Sequence, residues 1–483
     1  MVLWAALAAF RSCATNVGAI AEHSTLQSAL SDLARVAKYG ASSGELTVGG
    51  DLPKISTALV HRLRVEAATI RSSDVIRIIG ACCRLEHNHP PLLDAAAAHV
   101  MRAMPSYPLY AICNIPNGFA RLNYHHRQLF EAIADWVADA DPTEQLSPVD
   151  VASLVYAYAE LRHSSAALLE ACAERLKVCH MEVGGPNCSI ILNSYARLSE
   201  CNPELFHALS RSILQTKPES YEVHHITIIM NAFSKCRINR PKEMQQLSSF
   251  LEGRVEQLSP QNMANLVNAC AKLKIHNHRL FSEMQKCLAV VDLRTFKLFE
   301  LTMLVHGLAK LRYGGPDLYD RFFDEMVLRD KWESQAVAQV LDTMRRKQLH
   351  SHDALIRLML EHMLRNLDQY TVHPLTQAVY CLLELEALDF TESMPPGLIV
   401  TEEGETPSRW VMRLFLERLR NLHELVPLTP IQRLHAQHLV RTYRYGNEID
   451  YNMQPHAVKA FCRSLYDVPA SVAASLARPH RRR

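Results

Sequence analysis

The chain has 483 residues, of which 48% are hydrophobic and 21% charged, with 52 basic and 50 acidic side chains. A net charge of +2 excludes a global basic field, so any nucleic-acid contact has to be local. The hydrophobic fraction and the low count of 16 glycines indicate an ordered, helix-rich chain. No apolar run reaches the roughly 20 residues that a membrane-spanning helix needs, so we expect no membrane partner.

The N-terminal segment 1–24 has no acidic residue before Glu22, carries Arg11 and is rich in alanine. This composition is compatible with a mitochondrial transit peptide, although its apolar run at 2–10 also fits a short secretory core. The 13 cysteines show no C-x-x-C spacing, which favours buried thiols in a reducing compartment over a disulfide framework or a zinc site. We therefore expect the mitochondrial matrix. Residues 25–72 follow as an N-terminal capping region that contains a glycine-rich loop at 40–51.

A repeated unit dominates the rest of the chain, and its clearest copy is the stretch from Asn262 to Met284. Apolar residues at helical spacing, a short polar break and a second apolar pattern predict a helix-turn-helix hairpin. We define the index residue as the residue that closes the first helix of each copy. The nine index residues are Leu85, Leu122, Leu161, Leu198, Cys236, Leu273, Leu311, Lys347 and Leu385, spaced 36 to 39 residues apart. The regular period predicts an all-α fold, a right-handed α-solenoid of about nine hairpins over 73–388.

Two further positions of the repeat predict how the hairpins pack. The residue two before the index residue is small in seven copies, which would let neighbouring helices approach closely. These small residues are Cys83, Ala120, Ala159, Ala196, Ser234, Ala271 and Ala309. A large apolar residue seven or eight positions after the index residue begins the core of the second helix. These are Leu92, Leu129, Leu168, Leu205, Met244, Leu280, Leu318 and Leu355.

The pattern weakens in the eighth copy, and the ninth lacks a clear second helix. An acidic, proline-containing linker follows at 389–408. The region 409–470 is predicted to be helical. It is basic between Arg409 and Tyr445, a stretch that contains seven arginines and only two glutamates. Residues 471–483 form a basic tail that is able to contact phosphates.

A polar stripe is the candidate binding site. In four copies an asparagine lies five residues before the index residue, and in seven of nine copies the residue just before the index residue is basic. Both positions share one helix face, so stacked hairpins would align amides with cations along a single-stranded nucleic acid. With the basic C-terminal arginines, the candidate RNA-binding residues are Asn117, Arg121, Asn193, Arg197, Asn231, Lys235, Asn265, Asn268, Lys272, Lys310, Arg346, Arg409, Arg413 and Arg420.

The same residues have a purely structural interpretation. Lysine and arginine are favoured in the last turn of a helix by its dipole, and asparagine could hydrogen-bond across the groove between repeats. Recurrent asparagine inside a helix nevertheless opposes helix propensity and asks for a reason. Paired histidines in the turns, such as His276 and His278, lack recurring cysteines or carboxylates, so we expect no metal and no cofactor. No catalytic motif is present, and we expect neither an enzyme nor a small-molecule substrate.

Three runs resemble the octotricopeptide and heptatricopeptide helical-hairpin repeats of organellar proteins, relatives of the pentatricopeptide group: ILNSYARLSECNPELFHALSRSI at 191–213, LVYAYAELRHSSAALLEACAERL at 154–176 and LVNACAKLKIHNHRLFSEM at 266–284. The resemblance covers about 73–388. It implies an α-solenoid that binds organellar RNA or serves in a mitochondrial ribosome. The RAP domain that many such proteins carry is not evident after Glu405, which favours binding or structure over a nuclease-like role.

The sequence thus predicts a non-catalytic RNA-binding protein of the mitochondrion, acting on ribosomal RNA with other ribonucleoprotein or ribosomal proteins. Two alternatives remain open. One is a scaffold whose concave face holds another polypeptide. The other is a factor for the processing or stability of a particular organellar transcript.

Overall fold

The computed structural model describes residues 29–31, 33–34, 52–65, 69–139, 146–215, 217–349, 352–401, 405–446 and 456–466. Within these ranges the chain forms α-helices and short 3-10 turns and no β-strand. None of the described helices combines the length and apolar character that crossing a bilayer requires. The predicted transit peptide, glycine-rich loop and basic tail lie outside the described residues.

Helices alternate along the chain as first and second arms of hairpins. An entry helix precedes them, α1 (Leu52–Val65). The first arms are α2 (Ser72–Arg84), α4 (Leu109–Arg121), α6 (Pro148–Glu160), α8 (Gly185–Leu198), α10 (Val223–Lys235), α12 (Pro260–Leu273), α14 (Leu298–Leu311), α16 (Ser334–Lys347) and α18 (Val372–Glu384). The second arms are α3 (Pro90–Ala103), α5 (Arg127–Asp139), α7 (Ala166–Val178), α9 (Pro203–Gln215), α11 (Pro241–Ser249), α13 (His278–Val290), α15 (Pro316–Val327) and α17 (Asp353–Arg365). The C-terminal helices are α19 (Pro407–Leu425), α20 (Pro430–Gly446) and α21 (His456–Ser464).

The first arms end at the predicted residues, and they end in the same way. In the described part of the chain, nine non-glycine residues have a positive φ, and each directly follows an index residue. They are Glu86, Asn123, Arg162, Ser199, Arg237, Lys274, Arg312, Gln348 and Glu386. The next N–H then bonds back to the last turn, as from His87 N to Cys82 O at 2.9 Å and from Tyr124 N to Phe119 O at 3.0 Å. This left-handed cap satisfies carbonyls that a helix end otherwise leaves unbonded.

The chain forms two compact units, Met1–Leu247 and Ser248–Arg483. In the first unit, the arms α2, α4, α6, α8 and α10 pack against one another in chain order. The second arms α3, α5, α7 and α9 form a parallel series beside them, and α1 packs on α3. Buried tyrosines of the first arms are hydrogen-bonded to the second arms. The hydroxyl groups of Tyr158 and Tyr195 donate to Phe130 O and Leu169 O, each at 2.6 Å.

The second unit repeats this plan with α12, α14, α16 and α18 as first arms and α13, α15 and α17 as second arms. After α18 the chain forms a 3-10 turn, Ala387–Ser393, where a second arm would stand. Helix α20 packs against α18 instead. The all-α hairpin-repeat fold is thereby confirmed. The division at 247/248 falls inside the predicted array 73–388, and the predicted boundaries of the flanking regions stay predictions.

The predicted packing positions are indeed close contacts. The small residues are buried, except that Ala271 is half-buried, and the leading apolar residues of the second arms are fully buried except Leu318. The approach is tightest at Gly307, where an added Cβ would lie 2.6 Å from Val267 Cγ1 and 3.2 Å from the Val267 carbonyl carbon. Neighbouring first arms thus meet backbone to side chain, and glycine is required there for space.

The cysteine expectation needs one correction. Cys201 and Cys236 form a disulfide with a Cα–Cα distance of 5.4 Å, linking a hairpin turn to the end of the next first arm. Other cysteines in the described ranges are thiols, and most are buried. Burial raises the pKa of Cys172 and Cys270 to about 12, which keeps both protonated. Their spacing in sequence carried no sign of the bonded pair.

Candidate nucleic-acid interface

The polar stripe begins with the predicted asparagines, which are half-buried on the first arms. The side chains of Asn193, Asn231, Asn265 and Asn268 make no hydrogen bond to any described residue, and the Oδ1 atom of Asn117 is buried with no partner among them. A bond across the groove between repeats would have explained these residues structurally, and it is absent among the described residues. Amides held in place without partners can bond to a ligand.

The predicted cations of the first arms, one residue before the index residue, face solvent. They lie close enough across repeats to repel one another. Partial burial lowers the pKa of Lys235, and the charge of Arg197 lowers it further. Partial burial likewise lowers the pKa of Lys310, with Arg346 and Lys272 adding repulsion. Lys235 and Lys310 have no ion-pair partner among the described residues, so an anion bound beside them would relieve this repulsion.

Some stripe positions carry carboxylates, and these neutralise neighbouring cations. Glu160 occupies the cation position of its copy and pairs with Arg197, its Oε2 lying 2.8 Å from Arg197 Nη1. Asp342 occupies the asparagine position and accepts hydrogen bonds from Arg346 at 2.6 Å and Arg345 at 2.7 Å. The stripe is therefore not uniformly available to a ligand, and Arg197 and Arg346 are less available than Lys235 and Lys310.

The carboxylate of Asp342 is buried, and it also accepts from His306 Nε2 at 3.0 Å. Burial alone would raise the pKa of Asp342, but the hydrogen bonds from His306, Arg346 and Arg345 hold it well below its usual range. Burial lowers the pKa of His306 more than Asp342 raises it. The ring is therefore neutral at neutral pH and donates to the ionised carboxylate.

The structure adds two positions to this face that sequence reasoning missed. Residues eight and twelve before the index residue lie on the same side of the helix as the polar stripe, since offsets of four, three and four residues preserve a helix face. Neighbouring copies are in contact at the position eight residues before the index residue, where Ser153 Oγ donates to Asn114 Oδ1 at 2.7 Å. Exposed aromatic rings occur at the position twelve residues before the index residue, where Tyr110 is 60% and Phe299 45% exposed. Helical spacing alone would have found these positions, although their residue types vary.

In the second unit these positions from four consecutive first arms line one concave pocket of about 790 Å³. The pocket brings together the predicted residues Asn268, Lys272, Lys310 and Arg346. Asn265 lies one helical turn before Asn268 on α12 and does not line it. Residues at the start of α20 complete the wall, including Gln432 and His435. Helix α20 therefore supplies part of the site, a contribution that the repeats alone did not predict.

The predicted C-terminal arginines do not line this pocket, and each has an intramolecular partner. Arg413 forms a two-point contact with Glu405 at 2.8 and 3.0 Å. The Arg409 guanidinium lies 5.5 Å from the centre of the Tyr443 ring. Arg420 donates to the Asn421 side chain at 2.8 Å. These contacts stabilise α19 and its surroundings, and a role of the three arginines in RNA binding stays a prediction.

One pair of turn histidines, His125 and His163, is in contact across neighbouring repeats. His125 Nε2 lies 3.0 Å from His163 Nδ1, so one ring donates and the other accepts. Among the described residues, no group of three or more histidine, cysteine, aspartate or glutamate side chains has the arrangement of a metal site. In the His125–His163 pair each ring is the hydrogen-bond partner of the other, and it links neighbouring hairpin turns.

Comparisons with known proteins add one partial family match. The model of the family described as "RNA-editing substrate-binding complex 6 protein" matches residues 216–345. No curated protein matches the chain.

Solved structures give only weak likenesses. A homology model of the full-length AP-3 complex in an intermediate open conformation is 11% identical, with 97% of this chain and 85% of that chain covered and a TM-score of 0.27. The crystal structure of the pentatricopeptide repeat protein PPR10 in complex with an 18-nt psaJ RNA element is 11% identical, with 96% and 79% covered and a TM-score of 0.25. Likenesses at these TM-scores carry no argument.

Proposed function

We propose that the protein binds single-stranded RNA, without catalysis, along the polar stripe of its first arms. The observation that carries the proposal concerns half-buried amides and nearby cations. In the described part of the chain, these amide side chains have no hydrogen-bond partner and these cations have no ion-pair partner. Asn231 with Lys235 shows it in the first unit. Asn268 and Lys310 show it in the second. Each half of such a pair has a chemical use in RNA: amides bond to base edges and cations contact phosphates.

The spacing of these groups suits an extended strand. Packed helices lie about 8–10 Å apart, so consecutive copies present their amides and cations at intervals that a single strand can follow. Exposed aromatic rings on the same face, such as Tyr110 and Phe299, offer surfaces for base stacking. A double helix would hide the base edges that the asparagines can read, so we favour single-stranded RNA.

A protein-binding scaffold is the competing class. A polypeptide bound to this face would need carboxylates to match the cations of the stripe. The asparagine side chains would then bond to the backbone of that polypeptide. The polar character of the face, with cations repeated from copy to copy, fits a regularly charged polymer better than a folded partner. The carboxylates of Glu160 and Asp342 limit the charge at their copies, consistent with binding of moderate strength that is shared over several copies.

For the cellular setting, we propose a mitochondrial ribonucleoprotein that processes RNA. The name of the family matched at 216–345 refers to a complex that binds RNA-editing substrates, which supports an RNA-processing assembly. A component of the mitochondrial ribosome is the second candidate, favoured by the basic helical region after Arg409. Both settings require a mitochondrial location, for which the composition of 1–24 is the argument.

Ultraviolet crosslinking of the tagged full-length protein in cells, followed by sequencing of the bound RNA, tests the proposal. We expect crosslinked RNA, with crosslinked peptides from the first arms rather than the second arms. Messenger or pre-edited transcripts would support the processing assembly, and ribosomal RNA in equal amount would support the ribosome. Recovery of proteins alone, with no crosslinked RNA, would overturn the proposed function in favour of the scaffold.

A further inference from the structure

The polar stripe of the second unit is closed at its C-terminal end by the chain itself. Tyr380, the residue at the asparagine position of the last copy, is covered by α20. The His435 ring stacks on it with centroids 4.4 Å apart and an interplanar angle of 8°. Glu384, at the cation position of the same copy, lies 3.3 Å from His438 on that helix. A strand that follows the first arms from α12 onward therefore meets a wall at α18.

The pocket in front of this wall is strongly cationic. Its lining contains Lys272, Lys310, Arg345 and Arg346, and Asp342 is the one carboxylate among its lining residues. Asp342 is already hydrogen-bonded to both arginines and to His306. Lys310 has no ion-pair partner among the described residues, and Arg345 and Arg346 lie beside it in the lining. A doubly charged terminal phosphate matches these charges better than a singly charged internal phosphate does.

Polar groups able to recognise a base lie in the same pocket. The amides of Asn268, Gln335, Gln339 and Gln377 line it, and none makes a side-chain hydrogen bond to a described residue. An amide presents both a donor and an acceptor, the combination that reads the edge of a base. A volume of about 790 Å³ falls within the range of about 300–1,000 Å³ that is usual for small-molecule sites.

We infer that this pocket binds the phosphorylated terminal nucleotide of an RNA strand, with Lys310 contacting the phosphate and the pocket amides contacting the base. The inference rests on the proposed RNA-binding function and assigns a direction to it: the strand ends at α18 and extends along the first arms away from α20. A free nucleotide carries the same chemistry, so the test has to separate the two sources.

The test compares forms of one internally labelled 12-nucleotide oligouridylate that differ only at the ends: 5′-phosphate, 3′-phosphate, hydroxyl at both ends, and circular. The full-length protein should bind one phosphorylated linear form about tenfold more tightly than the circular form. Lys310→Gln should abolish that difference. The matched control is Lys235→Gln, which occupies the same repeat position in the first unit and should weaken all forms equally. Neither lysine side chain has a hydrogen-bond partner among the residues that the structure describes, so both variants should fold, as checked by circular dichroism.

The remaining outcomes each decide a different question. Equal affinity for the circular and all linear forms would overturn the terminal pocket while leaving RNA binding intact. Binding of free uridine 5′-monophosphate that competes with no RNA form would reassign the pocket to a free nucleotide and overturn the RNA end. Failure of every RNA form to bind would overturn the proposed function and the inference together.

Discussion

His306 donates a 3.0 Å hydrogen bond from Nε2 to Oδ2 of Asp342, a residue 36 positions later in the chain. Both residues stand five positions before an index residue, so the contact joins equivalent positions of neighbouring repeats. Neighbouring copies of the stripe therefore touch directly in the second unit. At this site the asparagine position has become an internal polar contact, whereas in the neighbouring copy Asn268 remains open to a ligand.

This contact makes the stability of the second unit depend on pH. The pKa of His306 is lowered in the folded protein, mainly by burial, so the unfolded chain takes up the proton first as pH falls through about 6.5. The pKa of Asp342 is also lowered, so its contribution is present above about 3.9 and is lost on further acidification. Denaturant unfolding should therefore show falling stability from pH 7 to pH 5. His306→Gln should reduce that slope.

The matched control for this titration is His276→Gln, which changes an exposed histidine in the turn after α12. We expect its pH dependence to equal that of the unaltered protein. Equal slopes for His306→Gln and the unaltered protein would mean that the His306–Asp342 contact contributes nothing to the pH response.

Asp342→Asn removes the carboxylate that holds two guanidiniums and one imidazole. We expect a loss of about 1–3 kcal/mol in the free energy of unfolding, because Arg345, Arg346 and the buried His306 lose a charged hydrogen-bond acceptor. RNA binding should be retained or strengthened, since Arg345 and Arg346 are released toward the pocket. Denaturant titration and RNA titration of the same preparation check both expectations. Weaker RNA binding by a folded Asp342→Asn protein would contradict the proposed role of the cations.

The asparagines separate binding from stability. Asn231→Ala and Asn268→Ala should change the free energy of unfolding by less than about 0.5 kcal/mol, since neither side-chain amide is hydrogen-bonded to a described residue. Each should weaken RNA binding by about 1 kcal/mol. The contrast is Asn277→Ala, whose buried amide caps α13 and donates to Ser248 Oγ at 3.1 Å. That variant should lose about 1–3 kcal/mol of stability and keep its RNA affinity while folded. The reverse pattern would make the stripe asparagines structural.

The close approach of α12 and α14 predicts an effect of Gly307→Ala. Alanine favours a helix by about 1 kcal/mol over glycine, but its Cβ would lie 2.6 Å from Val267 Cγ1 and 3.2 Å from Val267 backbone. Because the backbone cannot move aside cheaply, we expect a net loss of about 1–3 kcal/mol. Gly315→Ala is the control, since an added Cβ there meets nothing within 4 Å. A stabilised Gly307→Ala protein in thermal unfolding would show that the two helices are less tightly packed than described.

The hairpin ends could be predicted because apolar and small residues recur at fixed offsets, and burial enforces that recurrence. The left-handed cap that ends each first arm could not be predicted from the sequence. Left-handed backbone is usually signalled by glycine or asparagine, yet among the capping residues only Asn123 is of that kind. Glu86 and Arg312 adopt the same conformation, and in both caps the next N–H bonds back to the helix, from His87 to Cys82 O and from Tyr313 to Leu308 O. The cap is thus imposed by the repeat and not by the residue.

The candidate site was only partly predictable for a related reason. Asn268 and Lys272 repeat in type from copy to copy, whereas the positions eight and twelve before the index residue vary in chemistry and left no recurrent signal. The cover that α20 places over Tyr380, like the bond between Cys201 and Cys236, depends on contacts made in the folded chain. The periodicity of the sequence predicts contacts that recur in every repeat. It does not predict a contact that occurs only once in the chain.

We propose that Lys235 and Lys310 contact RNA phosphates, because neither has an ion-pair partner among the described residues. The most direct test measures the RNA association constant against salt concentration for Lys235→Gln/Lys310→Gln and for the control Lys286→Gln/Lys331→Gln, which changes two exposed lysines outside the stripe. We predict that the plot of log K against log salt becomes shallower by about 0.7 for each lost phosphate contact, about 1.4 for the stripe variant, with no change for the control. A stripe variant with the same affinity and salt slope as the unaltered protein would contradict the account.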